Sequence, residues 1–267
     1  MAIEITLTAL EGYTPREREM NQKLNELFAE WHFCLKAGAT AGNFNPEWPA
    51  WFVTDGFYPL YTEQKKKILF LGRESYGLAG HSYIDELYGY YKGNTVGGAT
   101  VGQYPFHRRL FYVAWGLTHD CQPWSEIPVI SDLAVSLAEP GGFSFAFMNF
   151  CKLSNETEAS TRLNESAVAA FLECSKAAGG DFFNREIGIL EPDLIITMKF
   201  REEWLNSLGE IRSLPSSNAE LGQFQLKVGG RDILLLNSFH YSERFKKDKD
   251  DYYDPVVEAV KIYQVGV

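Results

Sequence analysis

Cysteine is scarce and scattered in this chain of 267 residues: Cys34, Cys121, Cys151 and Cys174 form no C-x-x-C pair and have no clustered histidines beside them. Structural zinc and iron–sulfur sites draw ligands from such close pairs, so four free or buried thiols are expected, with no metal and no cofactor. No run of about 18 apolar residues occurs, and no basic-then-apolar leader opens the chain. Both absences point to a cytoplasmic protein without membrane contact. Positive charge is also short: 25 Lys and Arg face 35 Asp and Glu, a formal net charge of −10. A protein that grips phosphates indiscriminately carries a basic excess, which argues against tight nonspecific nucleic-acid binding. There is no G-x-S-x-G elbow and no G-x-G-x-x-G turn after the first apolar strand, so neither an α/β hydrolase nor a dinucleotide-binding dehydrogenase is indicated.

What is present is apolar bulk. With 45% hydrophobic and 15% aromatic residues, the chain can bury one large core without disulfides or metal. Residues 1–267 therefore read as a single domain, monomeric by default, in which 1–63 form an N-terminal helix and loop extension. Thr14 to Leu35 is amphipathic, with Leu24, Leu27, Phe28 and Trp31 at helical spacing. Ala37 to Glu63, rich in Gly, Asn, Pro and aromatics, reads as a long ordered loop. Gly80 to Gly102 carries Gly89, Gly93, Gly97 and Gly98 and reads as a mobile lid without phosphate-loop spacing. Helices are expected over Pro105–Leu117, with Arg108 and Arg109 facing solvent, over Ser166–Ala178, ended by Gly179-Gly180, and over Arg185–Leu190, Arg201–Leu208 and Tyr253–Tyr263. Gly209 to Gly230 reads as an irregular or hairpin excursion.

Four continuous apolar runs, Ile68–Leu71, Phe143–Met148, Asp193–Met198 and Ile233–Asn237, separate these helices. Such runs suit strands of a parallel sheet covered on both faces, and right-handed crossovers place helices on either side. The expected fold is three-layer α/β/α around a central, mainly parallel four-stranded sheet. Ligands bind beyond the carboxyl ends of such strands. Three of the runs end there in polar, reactive residues: Gly72-Arg73-Glu74-Ser75-Tyr76-Gly77, Asn149-Phe150, and Asn237-Ser238-Phe239-His240-Tyr241-Ser242.

Together these endings resemble the uracil-DNA glycosylase superfamily. Gly72 to Gly77 is similar to the motif GQDPYH, which carries the water-activating acid and an aromatic gate. Phe147-Met148-Asn149 resembles LLLN, whose asparagine reads the extruded base, and His240-Tyr241-Ser242 resembles HPS, which carries the histidine. The likeness runs from about Lys66 to Phe245 and is confined to these strings. Arg73 stands for the glutamine, Ser75 and Tyr241 for prolines, and Gly77 for the histidine. The resemblance implies that Glu74 and His240 are catalytic, that Tyr76, Asn149 and Phe150 hold the base, and that Arg73, Ser242, Arg244 and Lys246 touch nucleic acid. It implies hydrolysis of the N-glycosidic bond of uracil or a related damaged base by metal-independent water attack, in DNA repair. The partner would be DNA or a nucleobase-containing ligand. The departures support an alternative, a catalytically lapsed protein of the same fold that binds a nucleobase, nucleotide or nucleic acid.

Overall fold

The apolar runs form the centre of the sheet, in a computed structural model that describes residues 5–42, 44–157, 163–179, 181–216 and 218–265. In chain order the elements are α1 (Pro15–Thr40), β1 (Gly56–Phe57), β2 (Ile68–Gly72), α2 (Tyr83–Lys92), β3 (Thr95–Val96), β4 (Ala99–Thr100), α3 (Pro105–Thr118) and α4 (Ile130–Ser136). They continue with β5 (Ala146–Asn149), α5 (Glu165–Ala177), α6 (Phe182–Leu190), β6 (Leu194–Met198), α7 (Glu202–Asn206), β7 (Glu210–Ser213), β8 (Gly222–Val228), β9 (Arg231–Ser238) and α8 (Asp254–Val265).

The main sheet has seven strands in the order β1-β5-β2-β6-β9-β8-β7, not the expected four. Its centre, β5-β2-β6-β9, is parallel throughout and consists of the four anticipated strands. The extra strands are antiparallel and flank this centre, β1 on one side and β8 and β7 on the other. β1 is only two residues long and lies inside the segment read as loop, while β8 and β7 are the excursion after α7, folded as a meander. Its last turn is Gly229-Gly230, both at positive φ (56° and 81°), the backbone that a tight hairpin turn requires. Ser217 and Gly180 lie outside the described residues.

Side chains alternate across the central strands and feed two cores. Ile68, Phe70, Phe147, Ile196 and Leu236 pack with α2, α3, α4 and α8 on one face; Leu69, Leu71, Met148, Ile195 and Leu235 pack with α1, α5, α6 and α7 on the other. Period-2 alternation between two covered faces explains why these strands are apolar at every position.

Two expectations fail for a legible reason. The stretch read as a glycine-rich lid contains α2, capped by Ser82 accepting from Asp85 N, and a small β3-β4 hairpin. Ile84, Leu87 and Tyr91 are buried at helical spacing, and the glycines sit at or beyond the helix's exposed side. Arg109 is not solvent-facing but 2% exposed. Its guanidinium donates to the carbonyls of Tyr241, Glu243 and Lys246 and to Asp248. It thereby clamps the loop that follows His240. The helix α4 had no counterpart in the sequence reading, being a short seven-residue element with two buried side chains.

Candidate functional site

The connection after β2 runs over the face of α2, α3 and α4, whereas the connection after β5 runs over the opposite face through α5 and α6. β2 and β5 are neighbours, paired in register at Gly72 and Asn149. Their carboxyl ends are therefore a topological switch point, the place where ligands bind in open α/β sheets. Arg73, Glu74, Tyr76, Asn149 and His240 all lie at this end of the sheet.

Glu74 lies two residues beyond the end of β2. Its Oε1 accepts from Asn155 Nδ2 at 3.0 Å and from the backbone N–H of Asn164 at 3.3 Å. Asn164 is the N-cap of α5, so the carboxylate sits at the positive end of a helix of 13 residues. Oε2 is buried and has no partner among the described residues, an acceptor that burial penalises until water or a ligand satisfies it. Burial raises the carboxyl above its ordinary value, opposed by the two hydrogen bonds. A carboxylate with one oxygen anchored, one unpaired and a raised pKa has the properties of a general base.

His240 stands one strand beyond β6, at the end of β9. Ser242 N donates to its Nδ1 at 3.3 Å, with the Ser242 hydroxyl at 3.0 Å. Nδ1 is thus an acceptor, and the neutral ring carries its proton on Nε2. Burial, aided by the guanidinium of Arg73, lowers the imidazole from its ordinary 6.5 to about 4. Arg73 spans the gap toward β6, its Nε donating to Met198 O at 3.2 Å and Nη2 to Lys199 O at 3.1 Å.

Asn149 is 1% exposed. Its Oδ1 would lie 3.7 Å from a Cβ at Gly72, and that Cβ would come within 2.7 Å of the Phe147 ring. Only glycine lets the strand pass so close to the ring and the amide. A row of rings covers this face: Tyr83 stacks on Phe147 with centroids 4.6 Å apart, Phe106 lies 6.0 Å from Phe147, and His240 lies 6.1 Å from Phe106.

Not every expected residue joins them. Phe150 is fully buried on the opposite face, stacked on Phe183 and packed against Phe200 and Trp204, so it does not flank the Asn149 amide. Phe106, at the start of α3, lies instead within ring-contact distance of both Phe147 and His240. Tyr76 is 54% exposed at the rim. Ser242 bonds His240 and Arg244 is exposed. Lys246 is engaged, with its ammonium over the Phe239 ring at 3.7 Å and near Glu220 and Asp251.

A buried charge cluster lies behind Asn149 and escaped the sequence reading. Lys152 Nζ is 2.9 Å from both oxygens of Asp55 and 2.8 Å from Glu186 Oε1, all three side chains being fully buried. Its signal was a lysine and an aspartate inside apolar runs, Phe150-Cys151-Lys152-Leu153 and Phe52-Val53-Thr54-Asp55. A surface cleft of about 480 Å³ bounded by Lys65, His119 and Gly141 opens at the opposite end of the sheet, beside the residues that lead into β2 and β5. It is remote from the reactive residues, and the switch point is the better-founded site.

The depressed histidines carry a pH signature. His107, bonded to the Tyr91 hydroxyl at 2.7 Å, is likewise lowered by burial from 6.5 to about 4. Between about pH 6.5 and 4 the unfolded chain binds protons that both folded imidazoles exclude, so acidification favours unfolding. Thermal melts are expected to fall progressively across that window. The double variant His107→Asn, His240→Asn should flatten the decline, and an unchanged decline would refute the assignment.

No protein-family model matches the chain, and no curated protein matches its sequence. No described helix is long and apolar enough to cross a membrane.

Proposed function

We propose that the chain hydrolyses an N-glycosidic bond between a nucleobase, uracil or a related damaged base, and its sugar. The observation that carries this proposal is the presence, at the same carboxyl end of the sheet, of a half-unsatisfied carboxylate, Glu74 after β2, and a neutral imidazole protonated on Nε2, His240 after β9. Asn149 lies on the neighbouring strand, in register with Gly72. Base–sugar cleavage develops positive character at the anomeric carbon and negative charge on the leaving base, as glycoside cleavage does at its own anomeric carbon. Glu74 takes a proton from water as the water oxygen bonds to that carbon. The C–N electron pair leaves with the base, whose oxygen receives a hydrogen bond from His240 Nε2–H. A preorganised donor of that kind contributes about 10²–10³ in rate. Phe106 supplies a ring beside the base, and Asn149 reads its edge.

The rim favours an accessible base over a phosphate track. Lys199 pairs with Glu243, Arg201 with Glu165, Lys246 with Glu220 and Lys247 with Asp250. Exposed aromatic surface lies on the same rim: Phe245 is 98% and Tyr76 54% exposed. Unpaired or single-stranded bases avoid the cost of leaving a duplex stack and can stack on such rings.

The test is a panel of single- and double-stranded oligonucleotides bearing uracil, deaminated purines or mismatches, followed by alkaline cleavage at abasic sites. Cleavage of uracil-containing single strands is expected, reduced about 10²–10³-fold in His240→Ala. With most rim cations neutralised, log affinity should fall against log salt with a slope of only about −1 to −2. Retention of these strands without abasic product across the whole panel would identify a lapsed, base-binding relative. No binding at all would reject both forms of the proposal.

A further inference from the structure

The Asp55–Lys152–Glu186 cluster has a feature that packing alone does not require: it ends on the Asn149 amide. Asp55 Oδ2 accepts the Asn149 backbone N–H at 2.6 Å and its side-chain Nδ2–H at 3.4 Å. Lys152 holds the same carboxylate through both oxygens, and Glu186 holds Lys152 from the other side. Carboxylate oxygens only accept hydrogen bonds when ionised. A rotation of Asn149 by half a turn would set its carbonyl oxygen against Asp55, two acceptors face to face in a fully buried site. Asp55 thus permits one amide orientation and forbids the other.

From this geometry we infer that Asp55, backed by Lys152, is a positioning and specificity-determining residue: it holds the Asn149 Nδ2 toward itself, which leaves Oδ1, on the Gly72 side, as the atom that meets a ligand edge. The inference rests on the proposal that Asn149 reads a nucleobase. With Oδ1 presented, the bound edge must offer an N–H donor. The imide N3–H of uracil does so, whereas N3 of cytosine is an acceptor and N3 of 3-methyluracil is blocked.

In the wild type, single strands carrying one uracil should bind more tightly than those carrying cytosine or 3-methyluracil, by about tenfold or more. In Asp55→Asn the amide is free to turn, since the new side chain can donate as well as accept, while Glu186 remains to neutralise Lys152. Discrimination between uracil and cytosine should then shrink to within about threefold, through improved cytosine binding. A merely structural role would weaken both ligands alike and leave their ratio unchanged. Should Asp55→Asn fail to fold, Asp55→Asn combined with Lys152→Met removes the carboxylate and the ammonium together and carries the same measurement. Should that fail too, the wild-type comparison decides, because cytosine bound as tightly as uracil overturns the locked orientation. Wild-type preference for uracil that persists in a folded Asp55 variant overturns the role of Asp55 alone. Wild-type binding of no base at all overturns the proposed function on which the inference stands.

Discussion

Lys152→Met is expected to lower the unfolding free energy by about 3–5 kcal/mol, a large part of the total for a domain of ordinary stability. Lys152 is fully buried between Asp55 and Glu186. Burial drives the Glu186 carboxyl well up, the Lys152 ammonium opposing and Asp55 adding to the shift. The Lys152 ammonium faces both carboxyl groups and is the cation of the cluster. Without the ammonium, Asp55 is an uncompensated charge in a fully buried site between the strand end and α1, whose Phe28 and Trp31 rings lie 5.3 and 5.6 Å from Nζ. Isosteric removal of all three charges has no such remainder, so the triple variant Asp55→Asn, Lys152→Met, Glu186→Gln should recover much of the loss. Urea unfolding of the single and triple variants checks this. A loss below about 1 kcal/mol in the single variant would mean that water reaches the cluster and screens it.

The second large effect is on chemistry. Glu74→Gln is expected to slow base release by about 10²–10⁴-fold, the usual worth of a positioned general base. The substitution is well suited to the site, because a glutamine carbonyl can still accept from Asn155 and from the Asn164 N–H. Anchoring survives while the basic oxygen disappears. Binding of the oligonucleotide should change little, and single-turnover kinetics separate that from the chemical step. In the wild type, acidification should protonate Glu74 at a pH above that of an ordinary carboxyl, since burial raises it. The acid limb of the rate profile is therefore shifted toward neutrality and should be absent in Glu74→Gln. An unaltered single-turnover rate in Glu74→Gln would remove Glu74 from the mechanism.

Much of the architecture was legible in the sequence because strands covered on both faces must be apolar at every position. The four runs identified the four central strands, and the polar residues that follow three of them lie together at the carboxyl end of the sheet. Edge strands escaped: β1 has two residues and β7 is largely exposed, so neither carries a periodic signal. The segment around α2 carries enough glycine to read as a loop, whereas its Ile84, Leu87, Tyr91 spacing buries one helix face.

For the candidate site, local sequence selected Glu74, Asn149 and His240, since each ends or closely follows a run that must be buried. Their relation to one another depends on the order β5-β2-β6-β9, which no local pattern encodes. The same holds for the tautomer of His240, decided by Ser242, and for the exclusion of Phe150, decided by which face of the sheet it meets. Asp55 and Lys152 are 97 positions apart and are joined only by the folded sheet. The sequence by itself therefore determined which segments are buried strands and which polar groups terminate them, because burial and period are properties of neighbouring residues. Tertiary structure alone decided which of those groups meet, which atom of each is free, and that a buried ion pair stands behind the Asn149 amide, because hydrogen bonds and desolvation depend on contacts between residues far apart in the chain.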